Sequence, residues 1–108
     1  LYGPGNDLVS STNLTAAGCT VILFTTGRGT PFGAPAPVAK IATNDRLAER
    51  KANWIDFNAG PVASQGESVD DAGRRLLDLV KEIASGKKTK AEQNGFREIS
   101  IFKDGVVL

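Results

Sequence analysis

The residues best suited to chemistry stand together at 25–30: Thr25, Thr26, Gly27, Arg28, Gly29 and Thr30. Two glycines bracket one arginine, with hydroxyls on both sides. Glycine lets a backbone turn through positive φ and bring its N–H groups close to a ligand. The guanidinium offers a planar fork of donors that matches a carboxylate or a phosphate. The pattern therefore reads as an anion site, but it also serves as a plain tight turn. TGRG matches neither the P-loop spacing nor GxGxxG, so the loop alone leaves both readings open.

Other chemistry-bearing residues are scattered. Asn44 precedes a helical pattern, where its side chain either caps the helix or meets a ligand. Lys40 lies inside a strand pattern; it is either a buried base or, as expected here, a lysine snorkelling from an edge strand. Asp56 alternates with apolar neighbours and is expected to face solvent rather than do acid–base work. Cys19, the single cysteine, has no partner for an internal disulfide and reads as a small core thiol. Histidine is absent, which removes Ser-His-Asp, Cys-His and His-ligated metal arrangements from these 108 residues. No general base or metal ligand is assignable from the chain.

Composition narrows the class further. At 108 residues with 41% apolar content the chain suits one domain, 1–108, with its own core. Net charge is +1 and no Lys/Arg run exceeds Lys87-Lys88, which argues against nucleic acid or a membrane surface as partner. No apolar stretch approaches the roughly 20 residues of a membrane span, and no signal peptide is visible. There is no methionine, and the opening Leu1-Tyr2 reads as the tail of a strand. A piece of a longer protein is expected.

The elements follow from pattern. Val21, Ile22, Leu23 and Phe24 form a continuous apolar run, which predicts a strand buried on both faces of a parallel sheet. The loop 25–30 then falls at a strand's carboxyl end, where ligands bind in open α/β sheets. Before it, Gly3-Pro4-Gly5 predicts a turn, and Asn6 or Asp7 caps a helix over 8–17 that ends at Gly18. Val9, Leu14 and Ala17 are its packing residues. Three prolines within 31–37 forbid a helix and predict an extended loop. Strands are expected at 38–42, 54–57 and 97–102, a helix over 45–51 with Leu47 and Ala48 inward, and a loop over 61–67. The clearest helix is 69–85, capped by Ser68, with Val69, Ala72, Leu76, Leu77, Leu79, Val80 and Ile83 as a core stripe. Another turn is expected at 89–93, and Asp104-Gly105 marks a last one. The fold class is α/β: a three-layer Rossmann-like domain with a small, mostly parallel sheet flanked by helices.

The stretch 18–33, GCTVILFTTGRGTPFG, resembles the C-terminal part of the altronate/galactarate dehydratase family. So, in order, do Gly3-Pro4-Gly5-Asn6-Asp7, Lys40-Ile41-Ala42-Thr43-Asn44, Trp54-Ile55-Asp56-Phe57-Asn58-Ala59-Gly60 and the tail from Ala84 through Val106. The resemblance implies a cytoplasmic hydro-lyase that takes water from D-altronate to give 2-keto-3-deoxy-D-gluconate. It implies a divalent metal, iron or manganese, whose ligands lie upstream of this piece. It also implies a small sugar-acid substrate and upstream domains of the same polypeptide; homo-oligomerisation stays open. On this resemblance Thr25, Thr26, Gly27, Arg28, Gly29, Thr30 and Asn44 are the expected holders of the substrate's carboxylate or hydroxyls. A non-catalytic module that binds sugar acids, and a related lyase on another 2-hydroxy acid such as sulfolactate, are the alternatives.

Overall fold

The structure, a computed structural model, describes residues 5–101. The expectations at Leu1-Tyr2, Gly3-Pro4, Phe102 and Asp104-Gly105 lie outside these residues. The chain runs α1 (Asp7–Ala16), β1 (Ile22–Thr26), β2 (Val38–Ala42), α2 (Asp45–Arg50), β3 (Phe57–Asn58), α3 (Pro61–Ser64), α4 (Val69–Ala84) and α5 (Lys90–Gln93). The strands form one parallel sheet in the order β1-β2-β3, with Ile22 opposite Val38 and Ile41 opposite Phe57. Strand alternation then sends Ile22, Phe24, Val38, Lys40 and Ala42 to one face, and Leu23, Thr25, Ala39, Ile41 and Phe57 to the other.

The first face carries the main core. Ile22 and Val38 pack with Phe32, Ala34 and Ala36 of the β1–β2 connection and with Leu8 and Leu14 of α1. Phe24 and Phe32 meet edge to face at 4.9 Å. Ala42, Leu47 and Ile55 form a second cluster under α2. On the other face α4 borders the sheet across an apolar groove lined by Ile41, Phe57, Ala72 and Leu76, and Leu23 stays 47% exposed. The result is the small α/β domain expected, with helices on both sides of a three-stranded parallel sheet.

Helix starts follow their caps. Asn6 accepts from the Val9 N–H, Asn44 from Leu47 and Ser68 from Asp71, while Thr89 and Glu92 complete a capping box on α5.

Several expectations are corrected. β1 is not buried on both faces: it is the sheet's edge among the described residues, and Leu23 is 47% exposed. Cys19 and Ala17 are exposed rather than core. Residues 61–64 form α3, started by Pro61 at its first position. The third strand is only Phe57–Asn58, with Trp54 in the preceding turn. Along the α4 stripe Ala72 and Ile83 are buried, but Val69 and Leu77 are exposed. No strand forms over 97–101, where Ile99 and Ile101 are exposed. There the backbone pairs elsewhere: Glu98 N–H donates to Gly33 O, and Ser100 N–H to Thr12 Oγ1.

The largest correction is Lys40. It lies on the central strand and is 1% exposed. Parallel neighbours usually require a helical crossover, yet 27–37 crosses as irregular chain, as its prolines predicted. That connection is buried at Phe32, Gly33, Ala34 and Ala36, so its carbonyls need donors. Lys40 Nζ donates to Thr30 O at 2.7 Å and to Phe32 O at 2.6 Å, under the Phe32 ring at 4.6 Å. Asp56, expected in solvent, instead accepts from the N–H groups of Lys40 and Lys90, each at 2.8 Å, and so ties β2 to the start of α5.

Burial holds the Lys40 ammonium below the usual lysine value of 10.5, against the opposing pull of Asp56 and then Glu98. The unfolded chain therefore binds a proton that the folded one gives up earlier. Stability gains from this group as pH rises from the lowered value toward 10.5, and the cost of burying the charge is full below that window. Lys40→Met strands two carbonyls and is expected to cost about 2–4 kcal/mol at neutral pH. Urea midpoints of both proteins at pH 7 and 10 check this: wild type should gain, relative to the variant, as pH rises. Equal pH dependence of the two would contradict it.

Candidate functional site

The turn 26–30 leaves the carboxyl end of β1 beside the start of α2. Its first link is Thr26, whose Oγ1 accepts from Gly29 N–H at 2.9 Å and whose carbonyl accepts from Thr43 N–H at 3.1 Å. The next carbonyls are held in turn. Gly27 O accepts from Asn44 Nδ2 at 3.2 Å, Arg28 O from Lys51 Nζ at 2.6 Å and Thr30 O from Lys40 Nζ at 2.7 Å. Lys51 is itself seated over the Trp54 ring at 5.0 Å. Side chains from β2, from the β2–α2 junction and from the end of α2 thus fix one short piece of backbone. Gly29 carries φ +85°, and a Cβ there would sit 2.9 Å from Lys51 Cδ and 3.1 Å from Leu47 Cδ1.

Beside this turn opens a cleft of about 280 Å³, lined by Gly27, Arg28, Asn44, Arg46, Leu47, Arg50 and Lys51. Four of these seven residues are cationic and none is a carboxylate. Arg46 and Arg50 stand one helical turn apart, a like-charge pair that destabilises a helix by about 0.2–0.5 kcal/mol. An anion in the cleft relieves that repulsion, and guanidinium forks give it directional partners. Asp45, at the start of α2, is engaged elsewhere. It accepts from Ser64 Oγ and from Asn58 Nδ2, and these bonds hold its carboxyl below the usual range. The backbone approach that allows this needs Gly60, because a Cβ there would lie 2.5 Å from Asp45 N and 2.9 Å from the Asn44 carbonyl carbon.

Of the residues expected from the sequence, Gly27, Arg28 and Asn44 line the cleft together. Thr26 and Gly29 build its turn, and Thr30 contributes a carbonyl anchored to Lys40. Thr25 lies on the opposite face of the sheet. There it borders an apolar groove of about 470 Å³ under α4, beside Ile41, Phe57 and Leu76. Arg46, Arg50 and Lys51 were not anticipated. The available signal was the charge pattern of RLAERK (46–51), one residue beyond the Asn44 cap, which a net charge of +1 conceals. A divalent metal does not fit a cleft lined by cations, and among the described residues no three His, Cys, Asp or Glu side chains gather in one place.

These features define a parallel α/β domain that presents a cationic cleft at the carboxyl ends of adjoining strands. The family model described as D-galactarate/altronate dehydratase, C-terminal, matches residues 1–107. The chain belongs to this family. It is 50% identical over all its 108 residues to an altronate dehydratase of Bacillus subtilis and 48% identical to one of Escherichia coli. With a galactarate dehydratase (L-threo-forming) of Escherichia coli it shares 41% over 107 residues, 96% of the chain and 20% of that relative. The chain spans 22% of the length of each of the two altronate dehydratases.

The two loop glycines should separate on substitution. Gly29→Ala forces a left-handed alanine against Lys51 and Leu47 and is expected to cost about 1–2 kcal/mol. Gly27→Ala places its Cβ 3.5 Å from Thr43 Oγ1, an ordinary contact, and should change stability by less than about 0.5 kcal/mol. Urea unfolding of both variants checks the ranking, and equal losses would refute the geometry given for Gly29.

Proposed function

We propose that this chain is the C-terminal domain of a carbon–oxygen lyase that dehydrates D-altronate, or a related aldonate or aldarate, to a 2-keto-3-deoxy acid such as 2-keto-3-deoxy-D-gluconate. In this reading the cationic cleft holds the substrate's carboxylate. The supporting observation is the convergence of Arg28, Arg46, Arg50 and Lys51 on one cleft beside a backbone turn anchored at both ends. Removing the proton α to a carboxylate drives negative charge onto that carboxylate. Fixed cations stabilise the charge best where it develops. Arg28 is the expected clamp, with Asn44 and the hydroxyls of Thr25, Thr26 and Thr30 as candidate partners of substrate hydroxyls and the backbone at Gly27 and Gly29 as further donors. Thr25, on the far face, is the weakest member of this set.

The general base, the acid that assists the departing hydroxyl, and the ligands of an iron or manganese ion are assigned to the part of the polypeptide outside these 108 residues. The protein is placed in the cytoplasm as an enzyme of sugar-acid breakdown. A second reading, a module that binds the sugar acid without doing chemistry, is favoured by the lining of the cleft, whose polar side chains are Arg, Lys and Asn, with no carboxylate among them. Assaying the full-length protein for dehydration of D-altronate separates the two, and titrating the 108-residue piece with D-altronate reports whether this domain holds the acid by itself.

Arg28→Ala in the full-length protein tests the clamp. Loss of a guanidinium–carboxylate contact should lower kcat/KM by about 2–4 kcal/mol, roughly 30- to 700-fold. An unchanged kcat/KM removes Arg28 from the site.

A further inference from the structure

Among the described residues Lys40 is the only charged residue that is fully buried. Burying an ammonium is costly unless its hydrogen bonds are made. Both recorded bonds of this ammonium go to the chain that follows Arg28: Thr30 O at 2.7 Å and Phe32 O at 2.6 Å. Pro31 lies between them and has no N–H to offer a ladder. The segment 30–32 is therefore held to the sheet by a side chain, in place of strand pairing. On the other flank of Arg28, Thr26 is held by backbone pairing to Thr43. Arg28 rides between one anchor supplied by the sheet and one supplied by Lys40.

Three further hydrogen bonds brace the anchor. Asp56 accepts from the backbone N–H of Lys40 itself at 2.8 Å. Beyond Phe32, Gly33 N–H donates to the Glu98 carboxylate at 2.7 Å, and Glu98 N–H returns a bond to Gly33 O at 3.1 Å. The two carboxylates nearest in effect to the ammonium thus grip backbone on either side of it.

We propose that Lys40 is a positioning residue for the cationic cleft: it touches no ligand, and it fixes the 26–30 turn so that the Arg28 guanidinium is presented in place. This rests on the reading of the cleft as the substrate's carboxylate site. A clamp that must be ordered at each binding event loses affinity, because ordering is then part of the binding cost. Loss of Lys40 acts through Arg28 and weakens binding only while Arg28 is present.

The test uses the full-length protein with D-altronate and four variants: Arg28→Ala, Lys40→Met, Lys40→Gln and the double variant Arg28→Ala/Lys40→Met. Folding is verified by circular dichroism below the melting temperature. Lys40→Gln keeps an NH2 donor group on a shorter, uncharged side chain and carries the test if Lys40→Met does not fold, with Arg28→Ala/Lys40→Gln then serving as the double variant. The expected result is a KM raised at least tenfold by the Lys40 variant with kcat within threefold of wild type. The double variant should have the KM of Arg28→Ala alone. A merely structural lysine would lower the melting temperature without moving KM. A folded Lys40 variant whose KM stays within twofold of wild type, while Arg28→Ala raises it, overturns the proposal and leaves the cleft reading standing. An additive double variant also overturns it. An Arg28→Ala enzyme with unchanged KM and kcat overturns the cleft reading itself.

Discussion

One buried ammonium carries the architecture of this domain. A parallel β1–β2 pair made without a helical crossover leaves the connecting backbone against the core with carbonyls to satisfy. Lys40 satisfies two of them from the centre of the sheet, under an aromatic ring. Its own backbone is tied through Asp56 to the start of α5. Through Gly33 the same connection is tied to Glu98 and the segment after α5. The sheet, the connection and the C-terminal segment therefore share one small polar centre, with Phe32, Val38 and Ile22 packed beside it.

The distribution of charge tells more than its sum. The chain's net charge is +1, and two of its acidic residues are taken up in bonds of their own. Asp45 is bonded to Asn58 and Ser64, and Glu67 is paired with Arg75, which also lies over the Phe57 ring at 4.7 Å. That leaves Arg28, Arg46, Arg50 and Lys51 on one side of the molecule with no carboxylate in the lining. Such concentration raises local anion density and orients a charged guest. A cleft whose polar side chains are cations and one amide offers an anion partners but no group ready to accept a proton. That division suits a domain spanning about a fifth of the length of its relatives.

Several residues that look like chemistry turn out to be construction. Asp56 bridges two backbone N–H groups, Asn58 and Asp45 hold β3 to α2, and Gly60 admits the close approach between them. Asn44 caps α2 with its oxygen and steadies Gly27 with its nitrogen. The cleft inherits its shape from these contacts, because each of them limits where the turn after β1 and the first turn of α2 can sit.

What the chain determined by itself is its local order. Capping residues at Asn6, Asn44, Ser68 and Thr89, the prolines after Thr30, and the apolar alternation of 38–42 set elements within a residue or two, because those preferences act over a few neighbouring bonds. The glycine–arginine–glycine turn at a strand's end was legible for the same reason. Three things were decided only by the assembled tertiary structure. Strand β1 lies at the edge, Lys40 is interior, and Arg46, Arg50 and Lys51 join Arg28 around one cleft. Burial and charge convergence depend on which distant segments meet, and a carbonyl at Thr30 gives no sign in the sequence that a lysine ten residues later will be its donor.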